Sequence, residues 1–326
     1  DLTAMSASQG FVIEEDVANG GLERTHYAGD LNGDGLADII VSRRAEGGNS
    51  GAAYVVYGKT SGDMVVLSSS MGSSGYMIDV NSGTSQFGAD VSTAGDFNGD
   101  GIADLIIGAD SGGTNSLVHI IYGNKDHDGS RIVIGGVTTL GTRGFTVWGV
   151  AGMGTSVSNL GDINGDGLAD VIVGGENSNL AGLNYVVFGR TDTGNMNATA
   201  LASSGFRING DSNNKAYKVS GAGDVNGDGV ADFIIGSEGT RAAYVVFGGS
   251  HLAGANMHIS QIGSTYAGFK IAGVSNTNAG FGWDVSYAGD INGDGLADVI
   301  VGAHLEDPAT GTDAGRSYVV YGKSST

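Results

Sequence analysis

The chain has 326 residues, 61 of them glycine, no cysteine, and a formal charge of −20 from 15 basic and 35 acidic side chains. The absence of cysteine excludes a disulfide framework, a thiolate metal site and a cysteine nucleophile, and so acidic a balance makes nucleic acid and anionic membranes poor partners. The longest apolar stretches, such as residues 117–122, fall far short of the roughly 20 residues that span a bilayer, so no membrane insertion is expected; no signal-like segment opens the sequence, which begins at Asp1 rather than methionine, as a mature form or an excised piece would.

The first expected element is a strand at Gly10-Phe11-Val12-Ile13, led in by residues 2–5. Its alternation suits a half-buried outer strand, and it returns at Gly75-Tyr76-Met77-Ile78, Gly144-Phe145-Thr146-Val147, Gly205-Phe206-Arg207-Ile208 and Gly268-Phe269-Lys270-Ile271. A second strand runs into the segment Asp30-Leu31-Asn32-Gly33-Asp34-Gly35-Leu36-Ala37-Asp38. That segment recurs almost letter for letter from Asp96, Asp162, Asp224 and Asp290, at spacings of 66, 66, 62 and 66 residues. A constant period of this length marks stacked or radially arranged supersecondary units rather than two unrelated domains.

After each acidic segment comes a continuous apolar run: Ile39-Ile40-Val41, Leu105-Ile106-Ile107, Val171-Ile172-Val173, Phe233-Ile234-Ile235 and Val299-Ile300-Val301. Apolar residues on both pleat faces require both faces to be covered. The fourth element is aromatic-rich, as in Tyr54-Val55-Val56-Tyr57-Gly58, with relatives ending at Gly123, Gly189, Gly248 and Gly322. The repeat is thus a four-stranded antiparallel unit packed between two like neighbours.

The fold class is therefore all-β, and a ring accounts for the pattern better than a solenoid, which needs distinct capping repeats. The sequence ends soon after Tyr318-Val319-Val320-Tyr321-Gly322, just before a further Gly-aromatic strand is due, and it starts on such a strand. Pairing the N-terminal strand with the last three closes a five-bladed β-propeller of four-stranded antiparallel blades, a single domain over residues 1–326.

In the acidic segment, side chains at positions 1, 3, 5 and 9 and the carbonyl at position 7 can converge on one ion, because the glycines at 4 and 6 permit a tight curl. The expected ligands are Asp30, Asn32, Asp34, Leu36 and Asp38; Asp96, Asn98, Asp100, Ile102 and Asp104; Asp162, Asn164, Asp166, Leu168 and Asp170; Asp224, Asn226, Asp228, Val230 and Asp232; and Asp290, Asn292, Asp294, Leu296 and Asp298. All are hard oxygen donors, which favours Ca2+ over zinc or copper, and five Ca2+ sites are expected. An EF-hand is excluded, because it needs a glutamate at position 12 and a helix after it, whereas that position holds Val41, Ile107, Val173, Ile235 or Val301. An ion-free aspartate-glycine turn is the alternative. Against it, two carboxylates ~4 Å apart repel by roughly 4 kcal/mol at an effective dielectric of about 20, so a preformed empty loop is costly.

The arrangement resembles the FG-GAP repeat, which forms the β-propeller of integrin α subunits and occurs in bacterial surface and secreted proteins. Phe87-Gly88 and Phe281-Gly282 match the family's Phe-Gly, Gly108-Ala109 and Gly302-Ala303 its Gly-Ala, and the aspartate loops its calcium hairpins. The Phe-Gly slot departs to Gly21-Leu22, Met153-Gly154 and Lys215-Ala216 in the other repeats, and integrin propellers have seven repeats rather than five. The resemblance carries over the calcium ligands and the propeller fold, but no integrin ligand site. It implies a calcium-binding, extracellular or cell-surface adhesion or ligand-binding module, a monomeric domain within a larger bacterial surface or secreted protein, and no enzymatic activity.

The repeats differ most in the connections on the face opposite the loops, at residues 42–52, 110–116, 175–183, 238–241 and 303–316. That face is the expected site for a protein or glycan ligand. Six residues before each loop stand Arg24, Asp90, Ser156, Lys218 and Asp284, positions that ring the channel of a closed propeller and place Arg24 between Asp284 and Asp90. A carbohydrate-active propeller, either a lectin or a glycoside hydrolase using channel carboxylates, is the alternative function. An arginine between the two carboxylates argues for an ion-pair network instead, since it would hold both ionised. His26, Trp148 and Trp283 are further candidates, for which packing or solvation is the plainer explanation.

Overall fold

Each repeat folds as a meander whose innermost strand leads through the aspartate loop into the apolar strand. The structure is a computed structural model, and it describes Ser6 and residues 8–15, 21–44, 51–80, 86–110, 116–135, 140–175, 182–210, 216–274, 280–306 and 314–324. Among these the fold is all-β, with short 3-10 turns and no α-helix.

The first sheet runs Arg24–Gly29, Asp38–Arg43, Ala52–Val56, Gly75–Val80 from inside to outside, each antiparallel to the next. The second is Gln86–Gly95, Asp104–Asp110, Leu117–Ile121, Gly144–Trp148. The third is Met153–Gly161, Asp170–Gly175, Leu183–Val187, Gly205–Asn209, and the fourth Ala216–Gly223, Asp232–Ser237, Ala242–Val246, Gly268–Ala272. The fifth has three strands, Phe281–Gly289, Asp298–Ala303 and Arg316–Val320. As the sequence implies, the Gly-aromatic strand of one repeat is the outer strand of the sheet before it, and the apolar and aromatic strands are covered on both faces in the interior sheets.

Successive sheets stack face to face. Between the first and second, Leu31, Ile40, Val55 and Ile78 pack on Phe87, Val91, Leu105 and Ile121. Between the third and fourth, Ile163, Val186 and Phe206 meet Phe233, Ile235 and Tyr244. Burial of this kind contributes about 25 cal/mol per Å² of apolar surface and is the main force holding one sheet to the next.

A fifth, very short strand that the four-element pattern does not contain lies parallel to the outer strand of the preceding sheet. Ile132–Ile134 pairs with Gly75–Val80, Met196–Asn197 with Gly144–Trp148, and Asn256–His258 with Gly205–Asn209. The N-terminal strand, Ile13–Glu15, obeys the same rule by pairing in parallel with Val65–Leu67.

This differs from the expected pairing of that strand with the last sheet. Arg316–Val320 has no second neighbour among the described strands, whose ladders show no closed ring. Val65–Leu67 belongs to the connector that elsewhere reaches back to the previous outer strand, and Ile13–Glu15 takes the outer-strand place beside it, with Phe11 and Ile13 covering Val41, Tyr54 and Met77 of the first sheet. Residues 2–5, Lys215, Asp307, Pro308 and much of the variable connections at 45–50, 111–115, 176–181 and 307–313 lie outside the described residues.

Candidate metal centre

The aspartate loop is built from within by short hydrogen bonds that turn its side chains inward. In all five copies the position-6 glycine N–H donates to Oδ2 of the first aspartate at 2.8–3.0 Å. The position-7 N–H donates to Oδ1 of the position-5 aspartate at 2.8–2.9 Å. The asparagine Nδ2 reaches the other oxygen of that same aspartate at 2.9–3.0 Å. The curl that allows this depends on left-handed backbone at positions 4 and 6, as at Gly33 (φ 70) and Gly35 (φ 86).

The position-9 aspartate has a second role that sequence reasoning missed. Asp38, Asp104, Asp170, Asp232 and Asp298 are fully buried. One oxygen of each accepts from the position-2 N–H at 2.7–3.0 Å. The other accepts from the glycine that ends the third strand, Gly58, Gly123, Gly189, Gly248 or Gly322, at 2.8–2.9 Å. This carboxylate therefore clasps the loop to the sheet. The recurrent glycine at the end of the aromatic strand is the signal that would have revealed it, because its N–H is the donor.

Burial pushes Asp104, Asp170 and Asp232 up to about 7, opposed by these N–H bonds and assisted by neighbouring loop carboxylates. Asp38 is raised in the same way. A divalent cation would reverse that trend.

The donor chemistry of the loop residues suits such a cation, although among the described residues no three carboxylate or imidazole side chains are grouped as a formed metal site. In the second loop Asp96 Oδ1 is buried without a hydrogen-bond partner among the described residues, a group that costs free energy unless something positive faces it. Every side-chain donor is a carboxylate or amide oxygen, the set that calcium takes. A carboxylate has about four lone-pair sites, so an oxygen that accepts one N–H retains capacity for a metal. Asp30, Asn32, Asp34 and Asp38, with their counterparts in the other four loops, are the residues that would hold the ion.

The inner-strand positions are brought together only in part. Asp90 Oδ1 lies 3.9 Å from Arg24 Nε, and its Oδ2 accepts from Val157 N–H at 2.9 Å. Burial raises the Asp90 carboxyl above its ordinary range, opposed by that N–H and by Lys218, Arg24 and His26. Ser156 Oγ accepts from Val219 N–H at 3.3 Å, so this row joins one inner strand to the next. No ion pair links Asp284 to Arg24 among the described residues, against the expectation that the arginine stands between both carboxylates. Trp283 sits 4.3 Å from His304, centroid to centroid, and Trp148 lies partly exposed at the end of its strand opposite Leu117 and Asn197.

Comparison with known proteins agrees with this architecture. Residues 27–56 and 281–320 match the FG-GAP repeat, and residues 96–173 match the FG-GAP-like repeat. FG-GAP repeats are thus found in three stretches of the chain. It is 29% identical to integrin alpha-V of Gallus gallus over 223 residues, 66% of this chain and 20% of that protein. It is 30% identical to integrin alpha-4 of Xenopus laevis over 153 residues, 45% of this chain and 14% of that protein. The matched stretches are thus a small part of these relatives' own length.

Proposed function

We propose that the chain is a calcium-binding, ligand-binding propeller module of an extracellular or cell-surface protein, a single domain over residues 1–326 with one structural Ca2+ in each of five blades. The observation that carries this reading is the set of carboxylate oxygens gathered in each loop, with Asp96 Oδ1 left buried and without a hydrogen-bond partner among the described residues. Calcium is structural in this reading, because each loop ties an inner strand to its neighbour by way of the buried position-9 aspartate. The similarity to integrin alpha chains supports an adhesion or ligand-binding role, with a protein or glycan ligand on the face opposite the loops, within a larger surface or secreted protein of bacterial type.

Glycoside hydrolysis is the less favoured reading, since both oxygens of Asp90 are already engaged by Arg24 and Val157. Calorimetric titration of chelator-stripped protein with calcium tests the leading one. About five equivalents are expected, and no binding heat together with an unchanged melting temperature would remove it.

A further inference from the structure

The five aspartate loops are nearly identical in sequence, yet they do not satisfy their first aspartate equally. In the third, fourth and fifth loops its Oδ1 accepts two N–H groups. The position-4 glycine donates at 2.7, 2.6 and 2.7 Å, Gly165 to Asp162, Gly227 to Asp224 and Gly293 to Asp290. The position-5 aspartate N–H donates to the same oxygen at 3.1 Å in all three. In the first loop only the second bond is made, from Asp34 N–H to Asp30 Oδ1 at 3.1 Å. In the second loop neither is made among the described residues: Asp100 N–H goes to Asn98 Oδ1 at 2.8 Å, and Asp96 Oδ1 is left buried without a donor. There Asn98 N–H turns instead to Asp104 Oδ2 at 3.2 Å.

A carboxylate offers about four lone-pair sites over its two oxygens. A cation entering the third, fourth or fifth loop therefore finds this oxygen filled and must displace an N–H, whereas the first loop has one site open and the second has both. The same count ranks the empty loops. A buried carboxylate oxygen without a donor raises the free energy of the metal-free second loop, and that cost is returned when a cation faces it. Calcium needs six to eight oxygens, so one oxygen free or blocked changes the fit. Local charge acts in the same direction. The cleft beside Asn98 and Asp100 of the second loop is lined also by Asp126, Asp128, His127 and Arg143. Its counterpart beside Asn164 and Asp166 of the third loop is lined by Arg190 and by no further carboxylate among the described residues. Extra carboxylates draw a cation toward the second loop.

We infer that the five loops are unequal calcium sites filled in a fixed order: the second loop, residues 96–104, first, the first loop next, and the third, fourth and fifth last. The inference rests on the calcium reading above and adds to it which residues set the order, namely the N–H groups at positions 4 and 5 that compete with the cation for the first aspartate. At limiting calcium the molecule is then loaded at its second loop alone. That loop also joins two sheets, since the Asp96 carbonyl accepts from Ala169 N–H at 3.0 Å and the Phe97 carbonyl from Arg190 N–H at 2.9 Å. The boundary between the second and third sheets is therefore the first that calcium stiffens.

Chelator-stripped, isotope-labelled protein is titrated with calcium chloride while the amide signals of the loop glycines are followed by NMR and the heat by calorimetry. Gly99 and Gly101 should move first, Gly33 and Gly35 next, and Gly165, Gly167, Gly227, Gly229, Gly293 and Gly295 last. The second loop should bind about tenfold tighter than the third to fifth, the factor that one hydrogen bond of ordinary net strength corresponds to. Glycines of all five loops that move together, or a third, fourth or fifth loop that fills before the second, overturn the order and leave the metal reading standing. No shift and no heat overturn both. Two variants give a second route. Asp100→Asn should abolish the tightest phase of the calorimetric titration, whereas Asp166→Asn should preserve it, and the opposite pattern overturns the inference.

Discussion

Gly29 and Ala103 meet across the boundary between the first and second sheets so closely that a Cβ at position 29 would lie 2.3 Å from the alanine's own. Gly95 with Ala169 and Gly223 with Ala297 repeat the contact at 2.6 and 2.8 Å. Gly29 also has a φ of +84. Gly29→Ala therefore combines left-handed strain with a clash against a neighbouring sheet, and a loss of roughly 2–4 kcal/mol is expected in urea unfolding. Gly141→Ala, with φ +68 and nothing within 4 Å, should lose only about 1–2 kcal/mol from backbone strain. Equal losses would show that the sheet boundary does not depend on the missing side chain.

Position 5 and position 9 of the loop should separate under mutation. Asp100→Asn alters a group that is exposed and, among the described residues, bonded only within the loop, so it should lower calcium binding by one equivalent with little effect on the calcium-free protein. Asp104→Asn alters a buried carboxylate that accepts from Phe97, Asn98 and Gly123. An amide brings N–H donors against those N–H groups, and about 2–4 kcal/mol should be lost with or without calcium. Calorimetry and denaturation of both variants, with and without chelator, check the division.

Removing calcium should lower the melting temperature. For dissociation constants near 10⁻⁴ M, typical of extracellular modules, ~1 mM calcium stabilises by about 1.4 kcal/mol per site, or roughly 7 kcal/mol over five independent sites. A melting temperature unmoved by chelator would contradict this.

His119 makes the stability pH-dependent away from the loops. It is fully buried, its Nδ1 lies 3.0 Å from Thr146 Oγ1, and its Nε2 has no hydrogen-bond partner among the described residues. Burial lowers its pKa to about 4 from 6.5. The folded state holds the ring neutral while the unfolded state takes up a proton below 6.5, so this contribution is complete above that pH and is lost as pH falls toward 4. The span corresponds to about 3 kcal/mol as an upper figure. His119→Leu should flatten that part of the stability profile, measured by urea unfolding between pH 4 and 7.

Much of this was readable in advance, for reasons that particular residues make plain. The five aspartate segments were legible because Asp34, Asn32 and the paired glycines do local work, bonding within nine residues of one another. The strand order was legible because the apolar runs such as Leu105-Ile106-Ile107 must be buried on both faces. The role of Asp38 as a clasp was not, since its partner Gly58 is 20 residues away. The short parallel strands were not legible either: Ile132–Ile134 is too brief to show a period, and its partner Gly75–Val80 belongs to the preceding sheet. The placement of Ile13–Glu15 followed from that same unseen rule.

Those short parallel strands have a consequence for solubility. An unpaired outer edge is a template on which another molecule's backbone can add, which is how sheet proteins aggregate into fibres. In the first three sheets the outermost full strand is already occupied by Ile132–Ile134, Met196–Asn197 or Asn256–His258, each only two or three residues long and so a poor seed for further growth.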